Sequence, residues 1–248
     1  MAEDEDWAVR RVVAENNRTP PEVLDRLAED GEWVVRNRIA SNPNTQAETI
    51  TRMFKTPYSR LEIASLGAHP NAPEELLCAC VDSADWRVRR NVAKNPNAPP
   101  DALARLAEDR HQMVRQQAAM NSSTPPEALA KLAEDEDRNV RWRVAENPSA
   151  PPEILAGIYL RASAAHFLGG VMVSLAGNPN TPPEILAELA TKDSPYIERA
   201  VAQNPSAPAK TLTELVINSE DKPIRDLAAQ NPNLPEHIRA MVVLGGDP

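Results

Sequence analysis

Pairs of large apolar residues three apart recur along the chain. They are Leu24 with Leu27, Ile50 with Met53, Leu103 with Leu106, Leu129 with Leu132, Leu155 with Ile158, Leu186 with Leu189, Leu212 with Leu215, and Ile238 with Met241. Leu76 takes the first place of the pair in the one segment that lacks the second. Most positions between are polar, and this i, i+3 spacing is the inward stripe of a short amphipathic helix. A second apolar set lies between the stripes: Val9, Val35, Val88, Val114, Val140, Val171, Ile197 and Ile224. Each is followed five residues later by alanine, and Gly67 holds that place in the remaining segment. A small residue in every copy implies a second short helix whose backbone another helix approaches closely. The pattern predicts alternating short helices throughout.

The joint from the second helix to the first is itself periodic. Its anchor stands at Asn16, Asn42, His69, Asn95, Asn121, Asn147, Asn178, Asn204 and Asn231, in steps of 26, 27, 26, 26, 26, 31, 26 and 27 residues. Seven of the nine anchors precede a proline, which accounts for much of the chain's content of 24. The runs Thr19-Pro-Pro-Glu22, Thr124-Pro-Pro-Glu127 and Thr181-Pro-Pro-Glu184 read as capping boxes, with Thr at N-cap, prolines at N1 and N2, and Glu at N3. The anchor Asn offers a donor and an acceptor to the open end of the second helix. Nine units of about 26 residues form one continuous repeat domain over 1–248, with frayed ends at 1–6 and 245–248. Stacked at ~10 Å each, they would run roughly 80–90 Å.

The joint and the stripes together resemble the leucine-rich repeat variant family. NPNAPPDALARLAEDRHQMVRQQAAM (95–120) and SSTPPEALAKLAEDEDRNVRWRVAENP (122–148) carry the resemblance, which spans essentially 4–243. It implies an all-α, right-handed superhelical solenoid in which each repeat pairs an α-helix with an α- or 3₁₀-type helix. It implies no single activity. Some relatives carry a cysteine-rich iron–sulfur segment ahead of the repeats. This chain begins within a repeat, so no cluster is expected.

Composition narrows the functional classes. A net charge of −9 opposes non-specific binding to nucleic acid or anionic membranes, although a local basic row remains possible. Cys78 and Cys80 are the two cysteines, a C-x-C pair without zinc or redox spacing; Cys80 falls on the core face. The acidic start MAEDEDWAVRR is no signal peptide, and the 162–177 stretch lacking Lys, Arg, Asp and Glu is too short to span a bilayer. A cytoplasmic protein is the expectation. No phosphate loop, nucleophile elbow, metal motif or catalytic carboxylate pair stands apart from the repeat, so neither an enzyme nor a cofactor or metal site is expected.

Candidate chemistry lies in three places. Arg10, Arg36, Arg89, Arg115, Arg141 and Arg225 occupy one repeat position, six before the anchor. Such a row can grip anions, or it can bridge to the acidic turns that recur as Glu29-Asp30, Glu108-Asp109 and 134–137. An exposed column, four residues after the acid of the joint, runs from Arg26, Arg52, Arg105 and Lys131 to Glu188 and Glu214. The third place is the irregular repeat, where 157–170 (GIYLRASAAHFLGG) adds five residues and replaces the acidic turn with apolar ones. Insertions of this kind often bind; the alternative is a longer helix that fills a bend in the superhelix. Tyr159, Arg161, His166, Phe167 and Leu168 are the candidate contact residues. Trp7, Trp33 and Trp86 also share one repeat position, which favours packing. The reading is a non-catalytic scaffold for a protein or peptide. Nucleic acid along the arginine row and self-assembly through 159–168 are the alternatives.

Overall fold

The computed structural model describes residues 1–56, 60–164 and 169–245, without the side chains of 60–63 and 242–245. The described residues form eighteen α-helices and no strand. In chain order they are α1 (Trp7–Glu15), α2 (Pro21–Leu27), α3 (Trp33–Ile39), α4 (Ala47–Lys55), α5 (Arg60–Ala68), α6 (Glu74–Cys80), α7 (Trp86–Lys94), α8 (Pro100–Leu106) and α9 (Gln112–Met120). Then follow α10 (Pro126–Ala133), α11 (Arg138–Glu146), α12 (Pro152–Ala164), α13 (Gly170–Gly177), α14 (Pro183–Ala190), α15 (Pro195–Gln203), α16 (Ala209–Asn218), α17 (Lys222–Gln230) and α18 (Glu236–Gly245). The chain divides into two compact units, Met1–Ala128 and Leu129–Pro248.

Both units follow one rule. In the first, α1, α3, α5, α7 and α9 pack successively, α2, α6 and α8 each lie against both odd neighbours, and α4 lies against α5. In the second, α11, α13, α15 and α17 do the same, with α12, α14 and α16 alongside. The apolar stripes line the space between: Leu24, Ile50, Leu103, Leu129, Leu155, Leu186 and Leu212 are wholly buried, as are Val35, Val114, Val140 and Ile197. In the last pair Ile238 is half-buried and Met241 is exposed. The small position explains the close odd-to-odd packing. A Cβ on Gly67 would stand 3.4 Å from Val92 Cγ2 and 3.8 Å from the Val88 carbonyl oxygen.

The joint works differently from the capping box expected of it. Pro20 is the N-cap of α2 and Pro182 that of α14, with Pro21 and Pro183 at N1, and neither helix has a side-chain cap. The threonine before them turns the other way. The Thr19, Thr45, Thr124 and Thr181 hydroxyls donate to the carbonyls of Val13, Ile39, Ala118 and Leu175 at 2.5–2.7 Å. Proline has no amide hydrogen to cap, whereas the preceding helix ends in open carbonyls. Side-chain caps occur instead on odd-numbered helices, from the last residue of the acidic turn. Asp6, Asp85 and Asp137 accept from the amides of Ala8, Arg87 and Asn139.

The anchors form a ladder. Asn42 Nδ2 donates to the carbonyls of Ala14 and Asn16 in the preceding repeat, at 2.7 and 3.1 Å. Asn204 repeats this with Ala176 and Asn178, and Asn231 with Ala202 and Asn204. Each Oδ1 accepts the amide two residues on, as Asn42 does from Asn44 and Asn204 from Ser206. The donor thus reaches a helix end as the sequence suggested, but the end of the repeat before. His69 copies the arrangement: Nδ1 accepts from the Asn71 amide at 3.0 Å, so the proton is on Nε2, which donates to the Asn42 carbonyl at 2.7 Å. Burial lowers its pKa, against a smaller opposing effect of that carbonyl.

Candidate functional site

The arginine row is built into the turns. Arg10 donates from Nη1 to the carbonyls of Asp4 and Glu5, Arg36 to Asp30 and Gly31, Arg141 to Asp135 and Glu136, and Arg225 to Ser219 and Glu220. Arg89 and Arg115 reach the carbonyls of Ser83 and Asp109. Each guanidinium closes the acidic turn that precedes its own helix. Arg10 and Arg89 also hold the next turn through a carboxylate twenty residues on. Arg10 grips Asp30 through Nε and Nη2 at 2.6 and 3.0 Å, and Arg89 grips Asp109 likewise at 2.5 and 2.9 Å. The Arg10 hydrogen bond, aided by the Glu32 amide, lowers the Asp30 pKa against burial. Burial pushes Asp109 up, but Arg89 and the His111 amide outweigh it, and the carboxyl ends below its ordinary value. These guanidiniums thus serve the chain's own turns.

The irregular repeat departs from the rule. Its added residues lengthen a helix: α12 has 13 residues where α2 and α8 have seven. Tyr159 is not presented to a partner. It is 5% exposed, and its hydroxyl donates to Glu188 at 2.6 Å. Burial first, and then that carboxylate, raise the phenol's pKa. His166, Phe167 and Leu168 lie outside the described residues. Arg161 is exposed on the lengthened part of α12 and lines a cleft of about 520 Å³ between α11, α12 and the start of α13.

The walls of this cleft are apolar, from Trp142, Ile158, Ala162 and Val171. Arg138, Arg141 and Arg161 line it as well, and the described lining holds no acid. Trp142 is fixed in place: its indole N–H donates to Ser174 Oγ at 2.7 Å, and the Arg143 guanidinium lies 5.2 Å over its ring. A Cβ on Gly170 would come within 3.0 Å of that ring, so glycine lets the indole lie flat against α13. Sequence reasoning found Arg141 and Arg161 but missed Trp142, Arg138 and Gly170. Their signal was the 31-residue step, which places them beside a widened repeat.

Other candidates carry less. Trp7 and Trp33 are 45% and 47% exposed, so their shared position packs weakly, while Trp86 stacks on His111 with centroids 4.0 Å apart. In the exposed column Arg26, Arg52 and Arg105 pair with Glu3, Asp25 and Asp82. Cys80 is buried, with its thiol pushed up to about 11 by burial, and Cys78 is exposed. Among the described residues no cluster of three His, Cys, Asp or Glu could hold a metal, and no helix is long and apolar enough to cross a membrane.

The family model of the leucine-rich repeat variant matches residues 7–32 and 86–111. Two of the chain's repeats are therefore of the leucine-rich repeat variant kind. A solved leucine-rich repeat variant with a novel repetitive structural motif is 22% identical, covers 93% of this chain and 88% of its own, and superposes with a TM-score of 0.56. That likeness shows the helical-repeat fold. An engineered protein aligns at 18% identity over 98% of this chain and 90% of its own, with a TM-score of 0.41. No curated protein matches in sequence. In this chain the anchors and joint threonines tie helix ends together, the arginine row closes turns, and the cleft lies beside the lengthened α12.

Proposed function

We propose that the chain is a non-catalytic scaffold that binds a protein or peptide, with the cleft beside α12 as its principal contact. One observation carries this reading. The polar groups that recur are spent on stacking repeats and closing turns, whereas the irregular repeat opens a concave, apolar-walled site with charged groups at its mouth. Nucleic acid along the arginine row has less support, since those guanidiniums already serve turn carbonyls and carboxylates. Selection of a displayed random-peptide library on the intact chain tests the scaffold. Reproducible enrichment of a peptide class, with saturable binding in solution, is expected. No enrichment at any stringency, with retention of an oligonucleotide at low ionic strength, would overturn it.

A further inference from the structure

The cleft is a place where the repeat's own ion pair lacks one partner. Arg141 occupies the position of Arg10 and Arg89, whose forks are filled by Asp30 and Asp109 twenty residues on. Twenty residues after Arg141 stands Arg161. The acidic turn has been replaced by 157–170, and that whole segment contains neither Asp nor Glu. The corresponding surface in the first unit shows the contrast. There Arg89 pairs with Asp109 and Arg105 with Asp82 in one shallow pocket that Arg110 also lines. At the α12 cleft the charges are Arg138, Arg141 and Arg161, with no acid in the described lining. In the preceding turn Asp135 accepts the Asp137 amide at 2.8 Å, and Asp137 accepts the Asn139 amide at 2.7 Å.

Three guanidiniums around one cleft with no acid in its described lining make it favourable to an anion. The guanidinium fork suits a carboxylate held by two parallel hydrogen bonds. The fixed indole of Trp142, with Ile158, Ala162 and Val171, offers the apolar surface that flanks such a group. Resting on the scaffold reading, we propose that the cleft binds an acidic peptide segment in trans. A carboxylate fills the place of the missing turn on Arg141 and Arg161, and an adjacent aliphatic side chain lies against Trp142. The chain's own turns show what fits such a fork: an acid after Leu-Ala, as in LAEDED at 132–137.

The test uses the intact chain and a labelled LAEDED peptide, beside an analogue with Gln and Asn at its four acidic positions. The acidic peptide is expected to bind saturably and at least tenfold tighter than the neutral one. Arg161→Asp, which supplies a carboxylate in cis and alters an exposed side chain, should weaken binding at least tenfold. Arg26→Asp, the same charge change in the first unit, should leave it unchanged. Thermal melts of both variants establish that they fold. Equal binding by the two peptides, or by wild type and Arg161→Asp, would overturn the proposal. So would displacement of the peptide by equimolar inorganic phosphate, or by a short single-stranded oligonucleotide, which would mark a phosphate or nucleic-acid site instead. If LAEDED fails while library selection returns peptides of another character, the acidic assignment falls and the scaffold stands; if both fail, neither stands.

Discussion

At eight joints the anchor is a carboxamide, and at one it is an imidazole. At Asn204 the carboxamide holds two buried carbonyls of the repeat before it and one part-buried amide of its own joint. Truncation leaves these groups unpaired. Asn204→Ala is therefore expected to cost roughly 2–4 kcal/mol, at about 1–3 per buried group left without a partner. Denaturant unfolding measures it, and a loss below 0.5 kcal/mol would refute the ladder. His69 adds a pH term. Burial holds its folded-state pKa below the ordinary 6.5. As pH falls, the unfolded chain takes the proton first. Its contribution is complete above about 6.5 and is lost between there and the lower folded-state value, where the protonated Nδ1 can no longer accept from Asn71. His69→Asn should therefore gain most over the wild type near pH 5 and least above pH 7. Melting temperatures at the two pH values check it, and a pH-independent difference would rule the switch out.

Most of these helices have seven to ten residues, too short to stand alone in water. Their stability comes from stacking, so the small position on the odd helices matters more than helix propensity. Gly67 is the one glycine among alanines there, and the site has room for a methyl group at ordinary contact distance. Gly67→Ala should stabilise by up to about 1 kcal/mol, the propensity difference in a helix. Gly67→Leu should destabilise, since its larger side chain would run into Val92 and the α7 backbone; a gain in melting temperature for Leu would contradict the packing. The apolar stripes and the nine anchors were legible in the sequence because each side chain's role repeats at a fixed interval. The direction of the joint threonine was not legible. Thr-Pro-Pro-Glu fits a capping box by spacing, and only the backbone shows that the hydroxyl points back to Val13 or Leu175. Likewise the 31-residue step showed where the repeat changes, while the lengthening of α12 and the burial of Tyr159 depend on how added apolar residues pack.

On the scale of the molecule, a chain of net charge −9 gathers three arginines at one cleft. The arginine row first read as a possible anion-binding ladder is frame wherever its turn and carboxylate are present. We propose that it becomes a site at Arg141, where Arg161 stands in the place of the carboxylate. Half of that site was visible in the sequence, through Arg141, Arg161 and the insertion. Trp142 and Gly170 were not, because their meeting depends on α13 starting against α11. The most direct measurement of the account is hydrogen exchange of the intact chain with and without saturating LAEDED peptide. Slowed exchange confined to α11 and the lengthened end of α12, with the joints of α1–α8 unchanged, is the predicted result. Slowing spread along the arginine row, or none at α12, would contradict it.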